Sequence, residues 1–352
     1  LHYSTNNGSD WVSITNGVAA TNESHQWTPA FSHPRVFWRV TSSTNSTLAA
    51  TNAKPFSIRT TTNTVFTFFV NDGSTANDVY TTDIGNDAQI GNASNAPRRS
   101  LQSIVNDYAL RGGDTIYVDT GDYTTNLTIS IGGFDSGSAD NPVRIIGSPK
   151  GTTFNRGNTA ADTLNLTGAV NLEIEHLRLL GGRYGLNGGT ANIVLRNMQF
   201  ISNRSGVYVT GSSHTFERCL AADNTEAAFT GAGTGGNRWL QGVLWNNPTL
   251  VQAGTNSTLS VSNSILGNGT VLFGNQAVPG DHNLVWNCPV GLEIASFTAF
   301  QNANFWTNSL YADPQFANAA GGDYHLKSLT GRYNPATGLF VTDAVHSAAI
   351  DL

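Results

Sequence analysis

Ile174-Glu175-His176-Leu177-Arg178-Leu179, Leu195-Arg196-Asn197-Met198-Gln199-Phe200 and Phe216-Glu217-Arg218-Cys219-Leu220-Ala221 are one pattern met three times at a spacing of 21 residues. Self-similarity at a fixed short period marks a solenoid, in which each repeat buries its apolar face only by stacking on its neighbours. Carried on with one three-residue insertion, the repeat runs from Val170 to Phe273 and yields three apolar columns. The first is Ile174, Leu195, Phe216, Leu240 and Val261; the second is Leu177, Met198, Cys219, Val243 and Ser264; the third is Leu179, Phe200, Ala221, Trp245 and Leu266. All but Ser264 are apolar, in a chain that is 39% hydrophobic, so the columns describe an interior. About 21 residues close one turn of a parallel β-helix, and each turn advances by one strand spacing, about 4.8 Å. The expectation is an all-β protein whose right-handed parallel β-helix extends from about Asp114 to Phe316.

Stacking turns columns into surfaces. The outward file Glu175, Arg196, Glu217, Gln241, Ser262 begins acid, base, acid, a vertical salt bridge. The next file, His176, Asn197, Arg218, Gly242, Asn263, is where side-chain amide ladders are expected. A third outward file, Gln199, Leu220, Leu244, Ile265, is apolar enough to need a cover, and the C-terminal residues 317–352 are expected to supply it. Exposed coil ends invite edge-to-edge association. The i, i+3, i+4, i+7, i+8 series Leu101, Ile104, Val105, Tyr108, Ala109, with Ser100 as N-cap and Gly112-Gly113 as stop, predicts a capping helix over 100–110. The strand Val65–Val70 and a long Asp/Asn/Gly loop, 71–95, precede it.

Composition agrees with this architecture. Charged residues make up 12% of the 352, there are 37 glycines, and lysine occurs at positions 54, 150 and 327 alone. Gly and Asn suit the many tight turns with positive φ that stacked coils require. A net charge of -6 leaves no basic footprint for nucleic acid. No apolar run reaches the ~20 residues of a membrane span, so no membrane insertion is expected. Two cysteines do not fix the redox compartment. Cys219 and Cys288 fall about three coils apart, beyond the roughly 7 Å that a disulfide spans, and are expected to be free.

Residues 1–62 read differently, with Trp11, Trp27, Phe37 and Trp38 set among Ser, Thr and Asn in short alternating runs. Tyr3-Ser4-Thr5-Asn6-Asn7-Gly8-Ser9-Asp10-Trp11, with Trp27-Thr28-Pro29 and Phe37-Trp38-Arg39-Val40-Thr41-Ser42, resembles the immunoglobulin-like repeats of bacterial surface proteins. In that family one or two strands precede the Tyr-Ser-Thr segment. Here the expected small β-sandwich is incomplete or completed by another chain, so copies are expected to associate through this module. The remainder, 63–352, divides into a cap loop and helix (66–113), coils (114–316) and the covering segment (317–352). Ser100-Leu101-Gln102-Ser103-Ile104, Gly113-Asp114-Thr115-Ile116-Tyr117-Val118 and Gly121-Asp122-Tyr123 resemble the start of pectate-lyase-like β-helix repeat proteins. Ala312-Asp313-Pro314-Gln315-Phe316, Gly322-Asp323-Tyr324-His325-Leu326-Lys327-Ser328 and Ser347-Ala348-Ala349-Ile350-Asp351 resemble their closing segment.

That resemblance implies a scaffold on which some members cut acidic polysaccharides. Lyases among them use stacked carboxylates for calcium plus a basic proton acceptor, and hydrolases use a set of Asp residues. The Asn-Thr-Asp, Gly-His-Gly and Arg-Ile-Lys signatures of the hydrolases and the Trp-Ile-Asp-His of pectate lyases do not occur; the nearest string is Leu284-Val285-Trp286-Asn287. The strongest candidate site is Arg183, Tyr184, Arg204, Tyr208 and Glu226, on successive coils, where two stacked arginines would hold a uronate or sulfate. The same residues also read as solvated loop arginines offset by Glu226. No cofactor is implied, but Asp72, Asp78, Asp83 and Asp87 offer hard oxygen ligands for calcium, at spacings that match no known calcium loop; Asx turns explain them equally. Trp239, Trp245, Trp286 and Trp306 are candidate sugar platforms, Trp245 being placed inward. His25, His33, His214, His282 and His346 show no metal-ligand spacing. Three readings follow: a non-catalytic structural or adhesive module of a large extracellular, surface-attached bacterial protein or filament; a polysaccharide lyase or glycoside hydrolase acting on an acidic polysaccharide; or a carbohydrate-binding module.

Overall fold

A computed structural model describes every residue except 20, 23, 167, 190, 212, 233–234, 255–257, 292–295, 303–305 and 351–352, so Asp351 of the closing motif lies outside the described residues. The chain forms two compact units that alternate along the sequence. The first comprises residues 1–123, 130–152 and 169–172, and the second 124–129, 153–168 and 173–352.

In the first unit, strands His2–Ser4, Val12–Ser13, His33–Thr41, Ala49–Thr51 and Phe56–Ile58 make one connected five-stranded antiparallel sheet. Tyr3 packs against Trp27 and Phe31 at ring separations of 5.2 and 4.9 Å. Parallel strands Thr67–Val70, Thr115–Val118 and Val143–Gly147 stack Phe68, Ile116 and Ile145 in one buried column. Helix Leu101–Asp107 starts where Ser100 accepts a hydrogen bond from the Ser103 amide, and it buries Leu101 and Ile104. It ends earlier than the Gly112-Gly113 signal predicts. Tyr108 leaves the helix in extended conformation so that its ring meets Phe68 at 4.5 Å. Tertiary packing of one aromatic outweighs about one turn of helix propensity. Asp114, fully buried, accepts from Arg59, Phe66 N and Arg111 N, which fixes the entry to the strand that follows.

The second unit is a parallel β-helix of three sheets. Its inward columns are Leu195, Phe216, Trp239, Val261 on the first sheet and Leu179, Phe200, Ala221, Leu244, Leu266, Val285 on the second. On the third they are Leu164, Leu186, Val207, Phe229, Val251, Phe273. The register thus departs from the expected one in a single coil. Trp239, not Leu240, and Leu244, not Trp245, point inward, with two extra residues before Trp239 and one before Val261. The cause is volume. The indole of Trp239 fills the space beside position 242, where a Cβ would lie 2.4 Å from its Nε1, so glycine takes the place expected of Val243. A short helix, Phe297–Asn302, which the sequence did not announce, follows the last of these coils.

Corners between sheets repeat as faithfully as strands. His176, Asn197, Arg218, Gln241, Asn263 and His282 all have φ between 51° and 58°, a left-handed corner between first and second sheets. The buried amide ladder lies one corner later than expected. Asn203 N donates to Asn224 Oδ1 and Asn224 N to Asn247 Oδ1, both at 2.9 Å, so corner amides are satisfied away from water. The charged file forms on the first sheet, where Arg196 lies 3.3 Å from Glu175 and 2.9 Å from Glu217, with Glu173 joining at 3.4 Å. Burial works against the Arg196 charge, but the Glu217 and Glu173 carboxylates more than compensate and raise its pKa.

Candidate functional site

The third sheet of the second unit carries the candidate residues on its outer face. Tyr184 and Tyr208 lie in adjacent coils, and both side chains are half-buried. The rings stack at 4.6 Å with planes 10° apart. The guanidinium of Arg183 sits 4.8 Å from the Tyr184 ring centre. Burial, partly offset by Arg183, raises the Tyr184 pKa, so its hydroxyl stays protonated and able to donate.

The two arginines do not form a free cationic spot. Arg183 donates through Nε and Nη2 to the two oxygens of Asp162, at 2.8 and 3.1 Å. Those hydrogen bonds raise the Arg183 pKa. Asn187 Nδ2 also donates to Asp162, at 2.9 Å, and the carboxylate is almost wholly buried. Arg204 Nε donates to Glu226 at 2.6 Å, in a pair whose two side chains are about half exposed (53% and 49%). Asp162 and Asn187 were not anticipated. Asp162 precedes Arg183 by 21 residues, so the same period points to it once the repeat is extended upstream of Val170. The site is a charge-balanced aromatic face with an inner ion pair that is fixed and an outer one open to solvent.

Three of the four carboxylates considered for calcium accept hydrogen bonds from neighbouring protein groups. Asp72 accepts from the Ser74 and Asp122 amides, and Asp78 from Asn71 Nδ2 and Thr81 Oγ1. Asp83 holds Asn71 through its main-chain carbonyl. Asp87 accepts from Arg99 N, Ser100 N and the Ser103 hydroxyl at the helix start, and these bonds outweigh burial to lower its pKa. Among the described residues no three His, Cys, Asp or Glu side chains are placed to hold a metal ion. Asp119, immediately after strand Thr115–Val118, also anchors this loop by accepting from the Val79, Tyr80 and Thr81 amides.

None of the four candidate tryptophans is an open platform. Trp239 and Trp306 are buried. Trp245 points outward, correcting the inward placement, and Phe316 packs edge-on against it at 4.9 Å. Trp286 lies against Tyr311. Phe316 in turn meets Tyr324 edge-on, so residues of the C-terminal segment lie over the outer face of the second sheet, where Leu220, Val243 and Ile265 are half-buried. Both cysteines are free thiols in the interior, and burial pushes each up to about 12. Among the described residues no helix is long and apolar enough to cross a membrane.

Comparison with known proteins places this geometry. A family described as "Disaggregatase related" matches residues 250–352, and no curated protein matches the chain. Among solved structures, pectate lyase Pel9A is similar with a TM-score of 0.50 and 17% identity, over 71% of this chain and 77% of that one. A rhamnogalacturonan lyase gives 0.39 and 13%, over 64% and 75%. A GH136 lacto-N-biosidase from Eubacterium ramulus gives 0.37 and 9%, over 70% and 67%. At these identities the first likeness speaks to fold alone and the other two carry no argument. The chain has the pectate-lyase-like parallel β-helix fold.

Proposed function

We propose that the chain is a non-catalytic, polysaccharide-binding module of an extracellular, surface-attached protein, and that it holds an acidic polysaccharide on the outer face of its third sheet. The observation that carries this reading is the Tyr184–Tyr208 stack flanked by Arg204–Glu226. The stacked pair offers ring edges and phenol hydroxyls to a sugar, and an ion pair about half open to solvent lets a ligand carboxylate or sulfate take the place of Glu226 on Arg204. Against catalysis stands the pairing of both local carboxylates, Asp162 with Arg183 and Glu226 with Arg204, which leaves no obvious acid–base couple. The fold shared with a pectate lyase agrees with a polysaccharide partner. In this reading residues 1–62 are an immunoglobulin-like spacer through which copies associate, ahead of a β-helix over 63–352. Light scattering of the chain over a concentration series tests the association, and a monomer throughout refutes it.

Affinity electrophoresis in pectin, alginate and sulfated glycans tests the binding. Retardation in at least one acidic polymer is expected, lost in Tyr184→Ala and Arg204→Ala and strengthened in Glu226→Gln. Release of oligosaccharides or unsaturated ends from any of these polymers favours the lyase or hydrolase reading instead.

A further inference from the structure

A second opening lies on another face of the same unit. The strand Asp323–Leu326 and the hairpin strand Arg332–Asn334 stand over Gln199 and Leu220, outward residues of the second sheet, and enclose an open cleft of about 760 Å³. That volume falls within the roughly 300–1,000 Å³ of small-molecule sites. Its charges are internally committed. Arg332 donates through Nε to Asp343 at 2.9 Å and lies 3.6 Å from Asp323, so two carboxylates answer one guanidinium. Asp323 Oδ1 lies 2.6 Å from His325 Nδ1. A carboxylate partner accepts only, which makes Nδ1 the protonated nitrogen and leaves Nε2 as an acceptor.

What remains uncommitted is uncharged. The Gln199 amide, the Tyr324 hydroxyl and His325 Nε2 make no hydrogen bond to the described residues. Gln199 and His325 are exposed, and Tyr324 is half-buried with its hydroxyl pushed up to about 12 by burial, so it acts as a donor. The Tyr324 ring, Leu220 and Pro335 supply apolar surface beside them. Arg332 is already held by Asp343 and Asp323 and offers no free cation to a uronate or sulfate, whereas donors and acceptors mixed with an aromatic ring match the hydroxyl edges and C–H faces of an uncharged sugar. We infer that this cleft is a binding site for a neutral saccharide, built by the C-terminal segment on the second sheet. It is independent of the acidic-polysaccharide reading for the third sheet.

The experiment is isothermal titration of the full chain with a panel of neutral trisaccharides (gluco-, galacto-, manno- and N-acetylgluco-configured) and with trigalacturonate. Saturable binding of at least one neutral trisaccharide is expected. His325→Ala and Gln199→Ala, both at exposed positions, each weaken it by about fivefold, the worth of one hydrogen bond. Tyr184→Ala leaves it unchanged, which separates this site from the third-sheet face. Circular dichroism confirms that the variants are folded. The inference is overturned if no neutral trisaccharide binds, if neither variant weakens binding, if Tyr184→Ala abolishes it, or if trigalacturonate displaces the neutral sugar at equal concentration.

Discussion

Gly242→Ala is the sharpest test of the coil register. A Cβ at this position lies 2.4 Å from Trp239 Nε1, 2.9 Å from Trp239 Cε2 and 2.6 Å from the Cys219 carbonyl oxygen. The indole cannot swing aside freely, because Phe216 stacks on it at 5.4 Å and Phe229 meets it edge-on at 5.9 Å. Nor can the carbonyl retreat, since it accepts the ladder bond from Val243 N at 2.8 Å. Overpacking of this kind costs about 1–3 kcal/mol, and a clash shared between a ring and the main chain belongs near the upper end, about 2–3 kcal/mol. The effect emerges against the small gain of about 0.4–1 kcal/mol that Gly→Ala gives through the unfolded chain where the native conformation tolerates a side chain. Urea denaturation followed by far-ultraviolet circular dichroism is the assay. At a slope of about 3 kcal/mol/M the midpoint falls by about 0.7–1 M. Trp239→Phe in the Gly242→Ala background recovers part of the loss, not all, because the carbonyl contact persists. Gly236→Ala, where an added Cβ meets nothing within 4 Å, is the control and stays within about 0.5 kcal/mol of the parent. A Gly242→Ala midpoint indistinguishable from that control means that Trp239 does not occupy the interior beside this glycine.

His214 is buried and its pKa is pushed down to about 4 by that burial. The unfolded chain therefore takes up a proton first, and stability present above pH 6.5 is lost as the pH falls toward 4, by on the order of 3 kcal/mol. His214→Asn, which keeps an acceptor for Ile193 N, should flatten that slope in urea titrations at pH 4.5 and 7; an unchanged slope assigns the acid sensitivity elsewhere. Arg196→Met leaves Glu173, Glu175 and Glu217 facing one another and is expected to cost about 1 kcal/mol at pH 7, most of it recovered in high salt. Melting curves with an identical deficit at low and high salt would point to lost packing by the arginine stem instead. Cys219 and Cys288 should not react with a thiol reagent at pH 8 until denaturant is added, and prompt labelling of either would contradict its burial.

The stacking of coils was legible because it depends on period alone. Ile174, Leu195 and Phe216 recur at an unbroken 21-residue interval, and burial of one implies burial of the others. Where insertions interrupt the period, apolar patterning loses its resolution. Trp239 and Leu240 are both apolar neighbours, as are Leu244 and Trp245, and a count of hydrophobic residues scores either register equally. The choice fell to the glycine three residues after the tryptophan, whose meaning is steric and appears only when neighbouring coils are in place. The candidate site divides in the same way. Tyr184 and Tyr208 were readable as neighbours and Glu226 as an offset to the arginines, but the pairing of Arg183 was not readable, since Asp162 sits upstream of the aligned repeat.

From the string of residues came the parallel coils, the cap helix, the interior columns and the free thiols, all consequences of local propensity and fixed spacing. Tertiary structure alone decided the slip at Trp239, the corner that carries the buried asparagine ladder, the pairing of Arg183 with Asp162, and the cleft beneath the C-terminal segment. The reason is physical: period and polarity are properties of one chain position at a time. Volume, charge balance and enclosure belong to groups of residues that meet only after folding.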